Sequence, residues 1–346
     1  MPRTPRYKTG DEKIDELITH IVKESGGDQL NHDLIQELVT SALKMNREFA
    51  DRGDLKIASA ALKEMRYAFH VFEPYRKQRK ASIFGSARTS IDHPLYEQTK
   101  NLAAELVKND WMVITGAGPG IMTAGIEGAG QAMSFGVGIK LPFESTTSQF
   151  ITGDPKLINF RYFFTRKLMF MKESSGFVLM PGGFGTMDEG FELLTLVQTG
   201  KMMSVPIVFL DEPGGNYWQR WEDFIKTELL DDHYIAEKDL NLFLVTDSVE
   251  AAVGELTNFY KNYHSQRFVS GSLILRMKNA ISDKKLEELN VEFKDILASG
   301  QIERCVPSED EIEDNDNLDL ARLSLNFNKR NWADIRVMIN RINEDN

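Results

Sequence analysis

The chain has 346 residues, 42% hydrophobic, 27% charged and 10% aromatic, which excludes a fibrous or wholly disordered protein. Its formal net charge of −11 argues against DNA or RNA as the main partner, because nucleic-acid binders carry a basic face. The single cysteine, Cys305, excludes an intrachain disulfide, and the six histidines show no metal-ligand spacing, so we expect no metal. No signal peptide or membrane-length apolar run is present, which predicts a cytoplasmic protein without a membrane partner.

Residues 1–80 predict a helical N-terminal extension. Apolar residues recur at helical spacing, with charges between them, in Ile14–Val22, Leu34–Met45 and Ile57–Phe72. The region ends in the basic run Arg76–Lys80. A solvated helix end is favoured for this run over an anion-binding patch.

Residues 81–263 alternate short apolar runs with amphipathic stretches. The predicted strands are Ser82–Phe84, Met112–Thr115, Gly136–Lys140, Phe177–Met180, Pro206–Leu210 and Leu242–Thr246. The predicted helices between them are Tyr96–Asn109, Ile121–Met133, Tyr162–Ser174, Met187–Gly200, Tyr217–Leu230 and Val249–Tyr263. This alternation predicts an α/β domain with a doubly wound, Rossmann-like parallel sheet covered on both faces.

Residues 264–346 predict a helical C-terminal extension with an acidic segment. Ser282–Leu297 has the pattern of a helix, and the acidic run in Ser308–Asp319 is typical of a mobile, solvated segment. The last predicted helix, around Trp332–Ile342, carries enough apolar residues to dock onto another part of the protein.

Ligands of open parallel sheets bind at the carboxyl ends of the strands, so the residues after each strand are the candidates for a site. The first such loop is Gly85-Ser86-Ala87-Arg88. Its glycine permits a close backbone approach, and Ser86 and Arg88 offer donors to a phosphate, although a plain tight turn explains the loop equally well.

The second loop runs from Thr115 to Gly120, with glycines at 116, 118 and 120. Its spacing is G-x-G-x-G instead of G-x-G-x-x-G, and the next strand ends in Ile139-Lys140-Leu141-Pro142 without the acid that binds a ribose. A nicotinamide dehydrogenase is therefore disfavoured. The chain also lacks G-x-x-x-x-G-K-[ST], so it is not a P-loop protein.

The third loop, Pro181 to Glu189, is the most informative. Its glycines, Gly182, Gly183 and Gly185, let successive amides face one anion at the start of the helix. Thr186 can cap that helix or donate to the phosphate. Glu189 is expected in the first helical turn, where acidic residues are common because they interact favourably with the helix dipole. Beside a bound phosphate, however, a carboxylate is repelled, so the dipole alone does not explain Glu189 and a functional role is favoured.

The helix before the third loop holds two cations, Arg166 and Lys167, which interrupt an apolar pattern. Periodicity alone favours ordinary surface cations for both. The aromatic residues around them, Phe163, Phe164 and Phe170, and Leu168 are expected in the core, in preference to a base-stacking site.

Together, Arg166-Lys167 and the motif Pro181-Gly182-Gly183-x-Gly185-Thr186-x-x-Glu189 resemble the signature of the Lonely Guy family. These phosphoribohydrolases release free cytokinins from riboside 5′-monophosphates, and bacterial relatives act as AMP nucleosidases. The resemblance covers roughly residues 80–263 and includes Gly85-Ser86, Gly116–Met122, Leu141-Pro142-Phe143-Glu144 and the run Leu194–Gly200, which contains Thr195. The family has also carried a lysine-decarboxylase label, but nothing here resembles a pyridoxal-phosphate lysine site.

The resemblance implies Arg166 and Glu189 as essential residues, phosphate binding at Gly182–Thr186 and a homodimer or higher homo-oligomer. Substrate-binding positions are then expected at Gly85, Ser86, Arg88, Gly116, Gly118, Lys167, Gly182, Gly183, Gly185, Thr186 and Thr195. The implied activity is hydrolysis of the N-glycosidic bond of a nucleoside 5′-monophosphate, AMP or a cytokinin riboside 5′-monophosphate, without a cofactor. The alternative is a protein that binds a nucleotide or a phosphorylated cofactor without turning it over, as the related molybdenum-cofactor carriers do.

Overall fold

A computed structural model describes residues 5–48, 50–140 and 148–344, so the predicted family positions 141–144 lie outside the described residues. The chain divides into two compact units, Met1–Arg66 and Tyr67–Asn346.

The first unit is helical, as predicted. It contains α1 (Glu12–Glu24), α2 (His32–Arg47) and most of α3 (Arg52–Phe72), whose last residues belong to the second unit. Asp11 caps α1 by accepting a hydrogen bond from the amide of Ile14, which explains why the helix begins there.

The second unit is built on a seven-stranded parallel sheet. Its strands are β1 (Lys80–Phe84), β2 (Met112–Thr115), β3 (Ser134–Ile139), β4 (Leu157–Phe160), β5 (Gly176–Leu179), β6 (Ile207–Leu210) and β7 (Leu244–Thr246). Their order is β4-β3-β2-β1-β5-β6-β7, and all neighbouring pairs are parallel. The doubly wound α/β prediction is confirmed. Sequence analysis missed β4, a four-residue edge strand whose apolar run is interrupted by Asn159.

Helices follow most of these strands. They are α4 (Pro94–Lys108), α5 (Ile121–Ala129), α6 (Phe163–Glu173), α7 (Phe184–Gln198), α8 (Tyr217–Phe224) and α9 (Val249–Phe259). One π-helical stretch, Ile225–Leu230, continues α8. The strand order reverses between β1 and β5, so the loops after these two strands diverge and leave a crevice at the carboxyl edge of the sheet.

The C-terminal region contains a sheet that the sequence analysis did not predict. A four-stranded antiparallel sheet with the order β10-β11-β9-β8 is formed by β8 (Tyr263–Val269), β9 (Ser272–Met277), β10 (Leu297–Arg304) and β11 (Ala321–Phe327). The predicted helices are present as α10 (Asp283–Glu292) and α12 (Trp332–Glu344), and a short α11 (Glu309–Glu313) lies between them. The prediction of a purely helical C-terminal extension was therefore wrong. The overlooked signal is Ser270-Gly271, a two-residue turn with positive φ at both positions, which joins β8 to β9 as a hairpin.

Most side chains of the acidic segment are exposed, as expected of a solvated segment, but Glu311 is buried against this sheet. Glu311 is 1% exposed, and its Oε1 accepts hydrogen bonds from Arg276 Nη2 at 2.6 Å and Arg322 Nε at 3.3 Å. Both arginines are almost completely buried. Burial alone would raise the pKa of Glu311, but the Ser308 amide and the nearby guanidinium groups lower it to about 2.

The last helix docks onto the α/β domain, as expected. The indole ring of Trp332, at the start of α12, covers Gly200, which follows α7 and has a φ of +68°. A Cβ atom at Gly200 would overlap the ring, so this contact depends on the glycine. Lys238 Nζ also contacts Asp334 Oδ2 on α12 at 2.8 Å.

Candidate active site

A cleft of about 1070 Å³ opens at the carboxyl edge of the parallel sheet, at the point where the strand order reverses. Its walls are the loops after β1, β2 and β5, the end of β3, and side chains of α6 and α7. This is where the sequence analysis expected the ligand.

Most of the predicted site residues line this one cleft. They are Arg166 and Glu189 with Gly85, Ser86, Arg88, Gly116, Gly118, Gly182, Gly183, Gly185 and Thr186. The structure thus brings three separate loops and two helices to one place, although their positions span about a hundred residues of sequence.

Backbone hydrogen bonds connect the three loops. The amide of Ser86 donates to Pro181 O at 3.2 Å, and the amide of Ile121 donates to Ser86 O at 3.1 Å. A Cβ atom at Gly85 would lie 2.6 Å from Ile121 Cγ2, and one at Gly120 would lie 2.8 Å from the carbonyl carbon of Ala87. The glycines after β1 and β2 are therefore required for close packing between loops.

The N-terminus of α7 is arranged to bind an anion, and we call it the α7 anion site. The amide of Met187 is the first to bond within the helix, to Gly183 O at 3.1 Å. In the described part of the chain, the four preceding amides, at 183–186, have no acceptor. Gly183 and Gly185 face open space, so these amides are accessible to a ligand. Thr186 makes no capping bond, since Gly183 is the N-cap residue.

Glu189 is a buried carboxylate in the same cleft. It is 7% exposed, and its Oε2 has no hydrogen-bond partner among the described residues. Because α7 begins at Phe184, Glu189 lies in the second turn and not in the first, one turn after Thr186 on the same helix face. Burial raises the pKa of Glu189 to about 7, against the opposing effect of Lys167 and Arg166.

The raised pKa of Glu189 implies that the free energy of unfolding depends on pH. The folded protein binds a proton on Glu189 between pH 4.5 and 7 that the unfolded chain releases, so Glu189 lowers stability as the pH rises through this range. We expect Glu189→Gln to melt like the wild type at pH 4.5 and to be more stable at pH 8 by about 1–3 kcal/mol. Thermal unfolding at both pH values measures this difference, and an equal melting temperature at pH 8 would contradict it.

The side chain of Arg166 extends from α6 across the floor of the cleft. Its Nε donates to Val137 O at 2.9 Å, and its guanidinium stands 5.3 Å from the ring centre of Phe170. Gly116 leaves room for this side chain, since a Cβ atom there would clash with Arg166 Nη2. Burial lowers the pKa of Arg166, and nearby Glu189 opposes that shift, but a guanidinium stays charged in a protein.

Two predicted substrate-binding residues, Lys167 and Thr195, do not line the cleft. Lys167 Nζ pairs with Asp188 Oδ2 at 2.8 Å and with Glu192 Oε2 at 2.7 Å. Its charge influences Glu189 without facing the ligand space. Thr195 lies on the exposed side of α7, six residues and about 9 Å along the axis from Glu189.

The structure also adds residues that the sequence analysis did not select. Tyr217, Asn159 and Met122 line the cleft, and so does Phe163. Phe163, Phe164 and Leu168 are about half exposed, so the expectation that they belong to the core was wrong, whereas Phe170 is buried. Asn159 could not be found because its strand was missed, but Tyr217 follows β6 and the rule of strand carboxyl ends could have indicated it.

Within the described ranges, no three His, Cys, Asp or Glu side chains come together as a group that could hold a metal ion. In the same ranges, no helix has the length and apolar character needed to cross a membrane.

Residues 120–256 match the family model described as "Possible lysine decarboxylase", the label that the Lonely Guy family has carried. The predicted resemblance is confirmed over these residues. The matched part contains Arg166, the α7 anion site and Glu189, while the Gly85–Arg88 loop precedes it. No curated protein sequence matches the chain significantly.

Several solved structures resemble part of the chain. The molybdenum cofactor binding protein from Rippkaea orientalis is 17% identical with a TM-score of 0.37, over 51% of this chain and 93% of that one. The molybdenum cofactor carrier protein from Chlamydomonas reinhardtii is 20% identical with a TM-score of 0.36, over 51% and 94%. DNA processing protein A from Helicobacter pylori is 13% identical with a TM-score of 0.36, over 51% and 79%. Similarities this low do not indicate the ligand of this chain.

Proposed function

We propose that this protein hydrolyses the N-glycosidic bond of a nucleoside 5′-monophosphate, releasing the free base and ribose 5-phosphate. The observation that carries the proposal is one cleft holding both the α7 N-terminal amides and the buried Oε2 of Glu189, none of which has a hydrogen-bond partner among the described residues. The family match over residues 120–256 supports a nucleotide-related function.

The two groups suit the two ends of a ribose phosphate. Helix N-terminal amides with their dipole bind a phosphate, which fixes the nucleotide by a part that does not react. Glu189 lies one turn further along the same helix, beside the position of the sugar. A carboxylate facing a bound phosphate is repelled by it, so its presence there is explained best by a role in the reaction.

Breaking the bond between ribose and base builds positive charge on the sugar. In its ionised form, Glu189 stabilises that charge and accepts a proton from the attacking water, whose oxygen bonds to the anomeric carbon. The base leaves with the electrons of the broken bond and is protonated by water. Arg166, which stays charged, favours negative charge on the departing base or holds the phosphate.

The pH dependence of the reaction follows from this role. Because Glu189 acts ionised and its pKa is about 7, kcat/KM is expected to fall about tenfold for each pH unit below 7. Arg166 lowers this pKa, so Arg166→Gln is expected to move the remaining acid limb to higher pH. Initial rates from pH 5 to 9 measure both effects. A rate that rises as the pH falls would instead assign Glu189 the role of a proton donor.

AMP is the substrate we expect first, since adenine nucleotides are abundant. Adenosine lacks the phosphate whose binding positions the sugar, so it is expected to react poorly. Among the described residues, the cleft holds no acidic metal cluster, and the proposed reaction needs no redox cofactor.

The test is to incubate the protein with a panel of nucleoside 5′-monophosphates and to separate the products by chromatography. Release of a base by the wild type, lost in Glu189→Gln, supports the hydrolase and identifies its substrate. If no member of the panel releases a base while a nucleotide remains bound, the protein is a non-catalytic carrier or sensor.

A further inference from the structure

Tyr217 connects the start of α8 to the anion site. Its hydroxyl donates a hydrogen bond of 2.5 Å to Gly182 O, and its side chain lines the cleft. Burial raises the pKa of Tyr217, so the hydroxyl keeps its proton over the working pH range and remains a donor. Neither Arg166 nor Glu189 contributes to this contact.

The ring of Tyr217 is held in place by a buried support. It packs edge-on against Trp218, with ring centres 4.8 Å apart, and Trp218 is fully buried. The amide of Trp218 donates to Asp211 Oδ2 at 3.1 Å, and Gln98 Nε2 donates to Asp211 O at 2.7 Å. The hydroxyl therefore comes from a rigid part of the domain and not from a mobile loop.

The consequence for the anion site follows from peptide geometry. The carbonyl of Gly182 and the amide of Gly183 belong to one planar trans peptide, so they point in opposite directions. Fixing the carbonyl fixes the direction of the amide, which is one of the four without an acceptor in the described residues. A donor on the carbonyl also polarises the peptide and strengthens its N–H as a donor. A glycine at position 182 restricts its own backbone dihedral angles less than other residues would, so the hydrogen bond from Tyr217 contributes to fixing the orientation of this peptide.

We propose that Tyr217 is a positioning residue that orients the Gly182–Gly183 peptide so that its amide binds the phosphate of the substrate. The inference rests on the proposed function, since it assumes that the anion at α7 is the 5′-phosphate of a nucleotide. It also explains why a tyrosine after β6 reaches across to the loop after β5.

The test compares Tyr217→Phe with the wild type by calorimetric titration with ribose 5-phosphate and with adenosine. The variant loses one oxygen and keeps the ring packed on Trp218, so we expect it to fold, with a melting temperature lower by at most about 2–4 °C for the lost hydrogen bond. The dissociation constant for ribose 5-phosphate is expected to rise about three- to tenfold, the usual effect of one lost hydrogen bond. Adenosine, which has no phosphate, is expected to bind as before, and KM for AMP should rise more than kcat falls.

Tyr260→Phe is the matched control, because Tyr260 makes the same kind of bond, to Ser175 O at 2.7 Å, and does not line the cleft. It is expected to leave both dissociation constants unchanged. Equal weakening of ribose 5-phosphate and adenosine by Tyr217→Phe, or no change in either, overturns the inference. Weaker ribose 5-phosphate binding in a protein that releases no base supports the positioning role and refutes the hydrolase. A wild type that binds no ribose 5-phosphate overturns the inference, whereas base release from the nucleotide panel decides the hydrolase separately.

Discussion

Glutamine at position 189 is expected to lower kcat for base release about 100- to 1000-fold. The substitution keeps the size of the side chain and removes the charge that, in the proposed mechanism, stabilises the sugar and accepts a proton from water. In the proposed mechanism Glu189 is attracted only to charge that develops in the transition state, and it repels the bound phosphate, so the dissociation constant for ribose 5-phosphate should not rise. Steady-state kinetics with AMP, together with calorimetric titration of ribose 5-phosphate, separates the two effects.

Asp188→Asn is the control for this prediction, since it removes the same charge from the adjacent residue. Asp188 also lines the cleft, but its side chain is 61% exposed and pairs with Lys167. We expect the control to change kcat less than about threefold, because the rate depends on a carboxylate beside the sugar and a screened surface charge contributes little. Equal losses in the two variants would show that general electrostatics, and not Glu189 itself, sustains the rate.

Glu311→Gln is expected to lower the free energy of unfolding by about 3–5 kcal/mol. Glu311 is the shared partner of Arg276 and Arg322, and all three side chains are almost fully buried. Removing the carboxylate leaves Arg276 with Asp316 and Arg322 with backbone carbonyls, but takes from both the counter-charge that they share, and desolvated charges with too few partners are costly. Equilibrium denaturation in urea measures the loss.

Glu309→Gln serves as the control in the same short helix. Glu309 is exposed, so its substitution removes only a helix-terminal charge, worth about 0.3–1 kcal/mol. The lowered pKa of Glu311 adds a pH dependence: its stabilisation is complete above about pH 4.5 and is lost as the pH falls towards 2. Equal destabilisation by the two variants at pH 7 would contradict a structural role for the buried group.

The parallel sheet was predictable because its strands are short, continuous apolar runs with both faces buried. The C-terminal sheet was not, because its strands mix polar and apolar residues. Tyr263–Val269, for example, buries only part of its length, and β9, its hairpin partner, pairs on its other side with β11, which lies far along the chain. Strand β4 was not predicted for a related reason: it lies at the edge of the sheet, and the exposed Asn159 interrupts its short apolar run.

The glycine loops of the site could be found from the sequence because they follow predicted strands. The sequence did not show which of the two neighbouring cations, Arg166 or Lys167, faces the cleft. Adjacent helical residues point about 100° apart, and only the packing of α6 determines that Arg166 faces the cleft while Lys167 pairs with Asp188. The raised pKa of Glu189 likewise depends on burial, which no local pattern reports.

The interlocked glycines after β1 and β2 limit how the specificity of this cleft can be redesigned. Gly85 touches Ile121, and Gly120 touches the backbone of Ser86 and Ala87, so neither loop can move without the other. Any side chain placed at Gly85 or Gly120 would overlap the neighbouring loop, so these two positions are expected to tolerate only glycine. Phe163 and Asn159 line the same cleft with exposed side chains, so changing these two residues to fit another ligand does not create the overlaps that the glycines forbid.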